Sequence, residues 1–246
     1  MHAMFNGAGY FFSGFTLIFS PGIKRFVLIP LAINISILIL GFWLGMEWFD
    51  HFLAKMLPGW LSWAEFIIWP IFALSYFLIV FYLFALVANV IAAPFNGILA
   101  ERVEKHLHGH AITQNTSTIR QLVKEIPRTV GSEINKLIYF IFRALPLLLL
   151  SLIPGINIIA PIVWFLFSAW MLSLEYLDYP LGNHGVLFKQ TRILVKQKRK
   201  RCLSFGSLVS AFTMIPVLNF IVMPVAVAGA TAFYVDSLQS LQESKN

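Results

Sequence analysis

The chain is almost without thiols. Its 246 residues include one cysteine, Cys202, which excludes an internal disulfide framework and any thiolate metal cluster. Charge is scarce as well. Asp, Glu, Lys and Arg make up 12% of the residues, against about 25% in an ordinary soluble domain. Hydrophobic residues reach 59%, where about 45–50% is usual. A soluble fold has too little interior to hide that excess, so the chain reads as an integral membrane protein. Catalytic signatures are missing too: there is no His-Glu-x-x-His, no Gly-x-Ser-x-Gly, no Walker loop and no dinucleotide fingerprint. No enzyme activity and no cofactor are expected, and a membrane enzyme acting on a sulfated or phosphorylated lipid would lack its nucleophile or acid–base pair. His106, His108 and His110 alternate in "HLHGH", but no carboxylate or thiolate stands at ligand spacing, so a solvated loop is expected and no metal. Met1–Ser20 has neither a basic leader nor a small-residue cleavage site, so a retained N-terminus is expected.

What is present are long uncharged runs, at 26–46, 66–100, 144–174 and 202–235. About 20 apolar residues cross the hydrocarbon core. The first run fits one crossing (helix 23–46), and the second suggests a longer, tilted one (helix 66–104) with Pro70 and Pro94 near its ends. The other two are interrupted at Pro154-Gly155 and at Pro216, which leaves arms too short to cross. They read as helical hairpins, 144–174 and 202–235, that enter the bilayer and return on the same side. The two share Ile-Pro-x-x-Asn-x-Ile followed by Pro161 or Pro224, a weak internal repeat of the kind found in transporters. Asn157 and Asn219 are expected to cap the returning helices.

The remaining segments are polar or interfacial. Residues 1–20 are aromatic-rich and uncharged and read as an interfacial helix. Residues 117–143 place Ile119, Leu122, Val123, Ile126, Val130, Ile134, Leu137 and Ile138 on one stripe, an amphipathic helix capped within Thr116–Thr118. Residues 189–201 hold seven cations in 13 positions. With an even number of crossings, 17 of the 18 Lys and Arg fall on the side of the N-terminus and only Lys55 lies opposite. Both termini are therefore expected in the cytoplasm. The net charge of +7 is accounted for by membrane orientation and anionic lipid headgroups, so no nucleic acid partner is expected.

The stretch "SPGIKRF", 20–26, joins the interfacial segment to the first crossing. Ser20 is expected to cap the helix with Pro21 in its first turn, leaving the N–H groups of Gly22, Ile23 and Lys24 free. The helix dipole and the charges of Lys24 and Arg25 would then favour a tetrahedral oxyanion. A plain orientation anchor is the competing reading of the same pair. Candidate groups for a polar path are Asn34, Asn89, Asn96, Asn157 and Asn219, which also serve as helix–helix hydrogen bonders. Glu101 and Arg102 would form a gate or an ion pair. For handling protons, Glu101, Glu175, Asp178 and His184 are the groups at hand.

Four stretches carry a resemblance: "PGIKRFVLIPLAIN", "NVIAAPFNGILAERVE", "IPGINIIAPIVWFLFSAWMLSLEYLDYPLGNH" and "FTMIPVLNFIVMPVAVAGATAFYVD". Together, over about residues 10–236, the chain resembles the CysZ family of bacterial inner-membrane sulfate permeases. The resemblance implies an all-α fold of two long transmembrane helices, two partly inserted helical hairpins and amphipathic cytoplasmic or interfacial helices. It implies sulfate uptake feeding cysteine biosynthesis, assembly as a homo-oligomer, and sulfate and membrane lipids as partners. The family's anion motif falls on Gly22, Ile23, Lys24 and Arg25. Lys24 departs from it, since arginine is frequent there; the charge is kept and the rigid guanidinium fork is lost. A scaffold or regulator that binds anionic lipid or a protein through the basic face is the alternative function.

Overall fold

The computed structural model describes residues 6–56, 62–109 and 119–243. These are helices, with no strand among the described residues. In chain order they are α1 (Gly7–Ile18), α2 (Lys24–Met56), α3 (Ser62–His108), α4 (Ile119–Ser151), α5 (Ala160–Asn183), α6 (Phe188–Gln197), α7 (Arg199–Thr213), α8 (Pro216–Phe233) and α9 (Gln239–Glu243). A 3-10 turn, Ile156–Ile158, precedes α5, and a π-helical turn, Tyr234–Leu238, links α8 to α9. Among the described residues, four segments are long and apolar enough to cross a membrane: Lys24–Phe49, Gly131–Ser151, Ala160–Asn183 and Ile221–Glu243. The chain is an all-α membrane protein.

The chain divides into two compact units, Met1–Lys24 with Asn96–Asn246, and Arg25–Phe95. In the smaller unit α2 and the first part of α3 run antiparallel. Phe49 stacks on Phe72, and the Tyr76 hydroxyl donates to the Gly41 carbonyl at 2.7 Å. α2 starts at Lys24 but runs ten residues past the expected end at 46, to Met56. Glu47 and Asp50 end the apolar run without breaking helical geometry, because acids are ordinary helix residues. α2 turns its apolar side chains outward: Ile39 is 63% exposed and Trp43 60%. That is what a helix solvated by lipid shows. The expected crossing 66–104 lies within α3, whose side chains over 80–94 fall outside the described residues.

The larger unit has its core where α1 lies against α8 and α7, and where α7 lies against α5. Tyr10 stacks on Phe233 with ring centres 4.6 Å apart, and Phe11 meets Phe205 and Phe212 edge-on. The Tyr10 hydroxyl donates to Asp236 in the π-helical turn, and Arg201 donates to the neighbouring Ser237 hydroxyl at 3.1 Å. α5 and α7 approach closely at Gly206, where a Cβ would sit 1.8 Å from the Ala169 carbonyl oxygen. Small residues allow such backbone contact between membrane helices. The segment Ile221–Glu243, which begins in α8, is buried over 67% of its most apolar stretch, against 6% for Lys24–Phe49 of α2. The apolar content of α8 is thus used up largely inside the protein.

Both expected hairpins are helix–turn–helix pairs, α4–α5 and α7–α8. Polar ties run along the first: Trp164 donates to Ser151 at 3.0 Å, Trp170 donates to the Tyr139 hydroxyl at 3.0 Å, and Lys136 meets Asp178 at 2.9 Å. The amphipathic helix expected at 117–143 does not end there, because α4 continues unbroken to Ser151. The change of composition at Ala144 alters what surrounds the helix, and no residue there stops it. The cap expected at Thr116–Thr118 and the stripe positions before Gly131 lie outside the described side chains. The described part of the stripe faces outward, with Ile134, Leu137 and Ile138 each about half exposed.

Neither asparagine caps a returning helix as expected. Ile159 and Ile215 occupy the N-cap positions, with no side-chain cap bond. Asn157 sits in the 3-10 turn and accepts the Gly155 N–H through Oδ1 at 3.2 Å. Asn219 lies inside the first turn of α8, because that helix begins at Pro216, whose missing N–H costs nothing at a first position. The repeat in sequence is therefore uneven in structure. Pro161 starts α5 while Pro224 lies within α8.

Candidate anion site

Residues 20–25 fold differently from a capped helix start. Ser20, Pro21, Gly22 and Ile23 close a β-turn, with the Ile23 N–H donating to the Ser20 carbonyl at 3.1 Å. Pro21 fixes the second position of that turn, and the third needs positive φ, which Gly22 supplies at 85°. The Ser20 hydroxyl turns back to the Thr16 carbonyl at 3.3 Å and so belongs to the end of α1. The Lys24 N–H also reaches the Ser20 carbonyl, at 3.4 Å. Two of the three donors expected to be free therefore point inward. The physical reason is that Pro-Gly forms a turn more readily than a first helical turn. A helix start leaves four N–H groups without intrahelical partners. The Ile23 and Lys24 N–H groups, which the helix start would otherwise leave over, are taken up by the Ser20 carbonyl.

The side chains are arranged unequally. Ile23 is 2% exposed and fixes the turn to the larger unit's core. Gly22, Lys24 and Arg25 are exposed, and a Cβ on Gly22 would meet nothing within 4 Å. The Arg25 guanidinium lies over the Phe26 ring, 4.9 Å from its centre, which holds the cation in place without neutralising it.

The candidate path residues are dispersed. Asn34 and Asn89 have side chains outside the described residues. Asn96 is buried and donates to the Tyr179 hydroxyl at 3.3 Å. Glu101 pairs with Lys105 one turn on, and Arg102 is exposed. Asn157 and Asn219 hold the turn positions described above.

The acids and the histidine at the helix ends belong to two ion networks. Lys136 gathers Glu133 at 3.2 Å, Glu175 at 3.2 Å and Asp178 at 2.9 Å, and Asp178 also accepts from Thr191 on α6 at 3.1 Å. His184, at the C-terminal end of α5, meets Glu104 of α3 at 2.8 Å. Glu104 is 2% exposed. Its acceptance of the ring proton holds the His184 imidazole above its ordinary pKa, against a smaller opposite effect of burial. Next to this pair, Asn183 donates to the Gly97 carbonyl at 2.9 Å. Glu104 and Lys136 were not singled out from sequence. Lys136 stands 39 and 42 positions before Glu175 and Asp178, and only the α4–α5 turn brings them together. Among the described residues no cluster of His, Cys, Asp and Glu suits a metal ion.

The family pattern described as sulfate transporter CysZ/etoposide-induced protein 2.4 matches residues 10–224. The chain belongs to this family. It is 45% identical over 241 residues to the sulfate transporter CysZ of Pectobacterium atrosepticum, covering 96% of this chain and 86% of the relative. It is likewise 45% identical over 235 residues to the sulfate transporter CysZ of Salmonella typhimurium, covering 94% and 92%. As a CysZ-family member it has relatives named for transport and not for catalysis. The match takes in Gly22–Arg25, the first hairpin, the second as far as Pro224, and the α3–α5 junction at Glu104 and His184.

Proposed function

We propose that the chain carries sulfate across the bacterial inner membrane and so feeds cysteine biosynthesis. One observation carries the reading: 45% identity, over nearly the whole of both chains, to proteins named sulfate transporter CysZ. In this reading sulfate is met at Gly22, Ile23, Lys24 and Arg25. Ile23 holds the turn, Gly22 leaves room for the anion, and the two cations balance its charge. The positive end of the α2 dipole adds to their potential. A dianion needs a polar way through hydrocarbon, for which Asn34, Asn89, Asn96, Glu101, Arg102, Asn157 and Asn219 are the candidates.

The two hairpins are proposed to insert without crossing. Their tips are apolar and exposed, with Leu152 72%, Ile158 78% and Met214 67% exposed, where a tip in water would carry polar residues. The termini and the basic segments face the cytoplasm. The chain works as a homo-oligomer, with membrane lipids as its other partners.

The test is uptake of radiolabelled sulfate into proteoliposomes. Wild type is expected to take up sulfate, and Lys24→Ala with Arg25→Ala to lower the initial rate by tenfold or more. Each charge-assisted contact is worth about 1.5–3 kcal/mol. Lys24→Arg restores the fork and is expected to lower the half-saturating sulfate concentration. No uptake by wild type overturns the function; full uptake by the double variant overturns the site.

A further inference from the structure

Around Tyr139 the larger unit gathers cations that the transport reading leaves unused. A surface pocket of about 400 Å³ is lined by Tyr139 and Arg143 of α4, Trp170 of α5, Lys196 of α6 and Arg199 of α7. Trp170 donates to the Tyr139 hydroxyl, so the two aromatic rings form a fixed floor. Arg143 and Arg192 both lie over the Tyr139 ring, 5.1 and 5.0 Å from its centre, and Arg199 lies over Trp170 at 6.0 Å. Arg192 belongs to a second pocket of about 390 Å³ on the same tyrosine, and its buried Nε has no hydrogen-bond partner.

Such a gathering of like charge is unfavourable without an anion. Among the described residues no carboxylate pairs with Arg143, Lys196 or Arg199. The nearby acids Glu133, Glu175 and Asp178 are all drawn to Lys136. The place in the fold indicates which anion. Arg143 is the last charged residue of α4 before eight uncharged positions, Ala144–Ser151, and Phe142 beside it is 75% exposed. Trp and Tyr next to cations at such a boundary mark the headgroup layer of a bilayer.

We propose that this pocket holds the phosphate of an anionic phospholipid, with Arg143, Lys196 and Arg199 around the headgroup and the acyl chains along the exposed apolar face of α4. The site is separate from Gly22–Arg25, and it narrows the general attraction of a basic segment for lipid to particular side chains.

The experiment is native mass spectrometry of the full chain after exchange into an equimolar mixture of phosphatidylglycerol and phosphatidylcholine. Wild type is expected to retain phosphatidylglycerol over phosphatidylcholine. Arg143→Gln with Arg199→Gln is expected to lose that lipid by about twenty-five-fold, at roughly fivefold per cation near an anionic surface. Lys196→Gln with Arg199→Gln changes exposed positions only and is expected to act in the same direction, so a folding defect at Arg143 cannot decide the outcome. Lys200→Gln, on α7 but outside the pocket, is expected to change nothing. Equal loss from Lys200→Gln, or no loss from either double variant, overturns the proposal. So does pocket-dependent binding of inorganic phosphate in phosphatidylcholine alone that phosphatidylglycerol fails to displace, which assigns the pocket to a soluble oxyanion.

Discussion

Glu104 is a nearly inaccessible carboxylate with the His184 imidazole 2.8 Å away. A buried acid that loses its partner is costly, by about 3 kcal/mol. The pKa of His184 is raised in the fold, chiefly by the hydrogen bond to Glu104, with burial opposing and Glu243 assisting. A raised pKa means that the folded state binds the proton more tightly. The stabilisation is then fully present below the ordinary value of about 6.5 and fades as the pH climbs through the folded value. Thermal unfolding in detergent is expected to shift to lower temperature as the pH is raised from about 6 to about 8.5. His184→Gln is expected to lower stability throughout and to flatten that slope. A slope of equal size in the variant would show that other groups carry it. This pair also marks a limit of reading residues in order. Lys24 and Arg25 are recognisable because they are neighbours at the start of an apolar run. Glu104 and His184 stand 80 positions apart, and their meeting depends on how α3 and α5 pack. The inward turn of the Ile23 and Lys24 N–H groups is hidden for a different reason: Ser-Pro-Gly fits both a helix cap and a β-turn, and the choice depends on where Ile23 can be buried.

Among elements, the breaks were legible and the joins were not. Pro154-Gly155 and Pro216 do interrupt their apolar runs, because proline cannot donate within a helix and glycine accepts positive φ. The continuity of α4 across Ala144 was not legible, since a composition shift resembles a boundary whether or not the backbone bends. The burial of α8 was not legible either, because an apolar helix reads alike in lipid and in protein. The α5–α7 contact supplies a test. Gly206 is the point of closest approach, and its neighbour there is backbone that cannot rotate away. Gly206→Ala is expected to cost about 1–3 kcal/mol through overpacking, read as a lower unfolding temperature in detergent. Gly182→Ala, on α5 with nothing within 4 Å of an added Cβ, is expected to be neutral or stabilising by up to about 1 kcal/mol from helix propensity. Equal destabilisation by both would show that the Gly206 contact is not what holds the two helices together.

At the scale of the whole molecule, charge is shared unevenly between the two sides of the proposed crossings. Seventeen of 18 Lys and Arg fall on one side of the proposed crossings, and Lys55, exposed in the last turn of α2, stands on the other. A bias this strong follows from the cost of moving cations across during insertion, and the proposed orientation therefore puts the single cation outside. Cys202 is wholly buried, so the native thiol is expected to stay silent toward a bulky impermeant maleimide and single new cysteines can be read against it. In intact cells with the outer membrane permeabilised, Lys55→Cys is expected to be labelled. Lys200→Cys, exposed at the basic start of α7, is expected to react only after the inner membrane is opened. The reverse pattern would invert the topology. Strong labelling of both in intact cells would mean that copies insert in both orientations, and sulfate would then meet Lys24 and Arg25 from either side of the membrane.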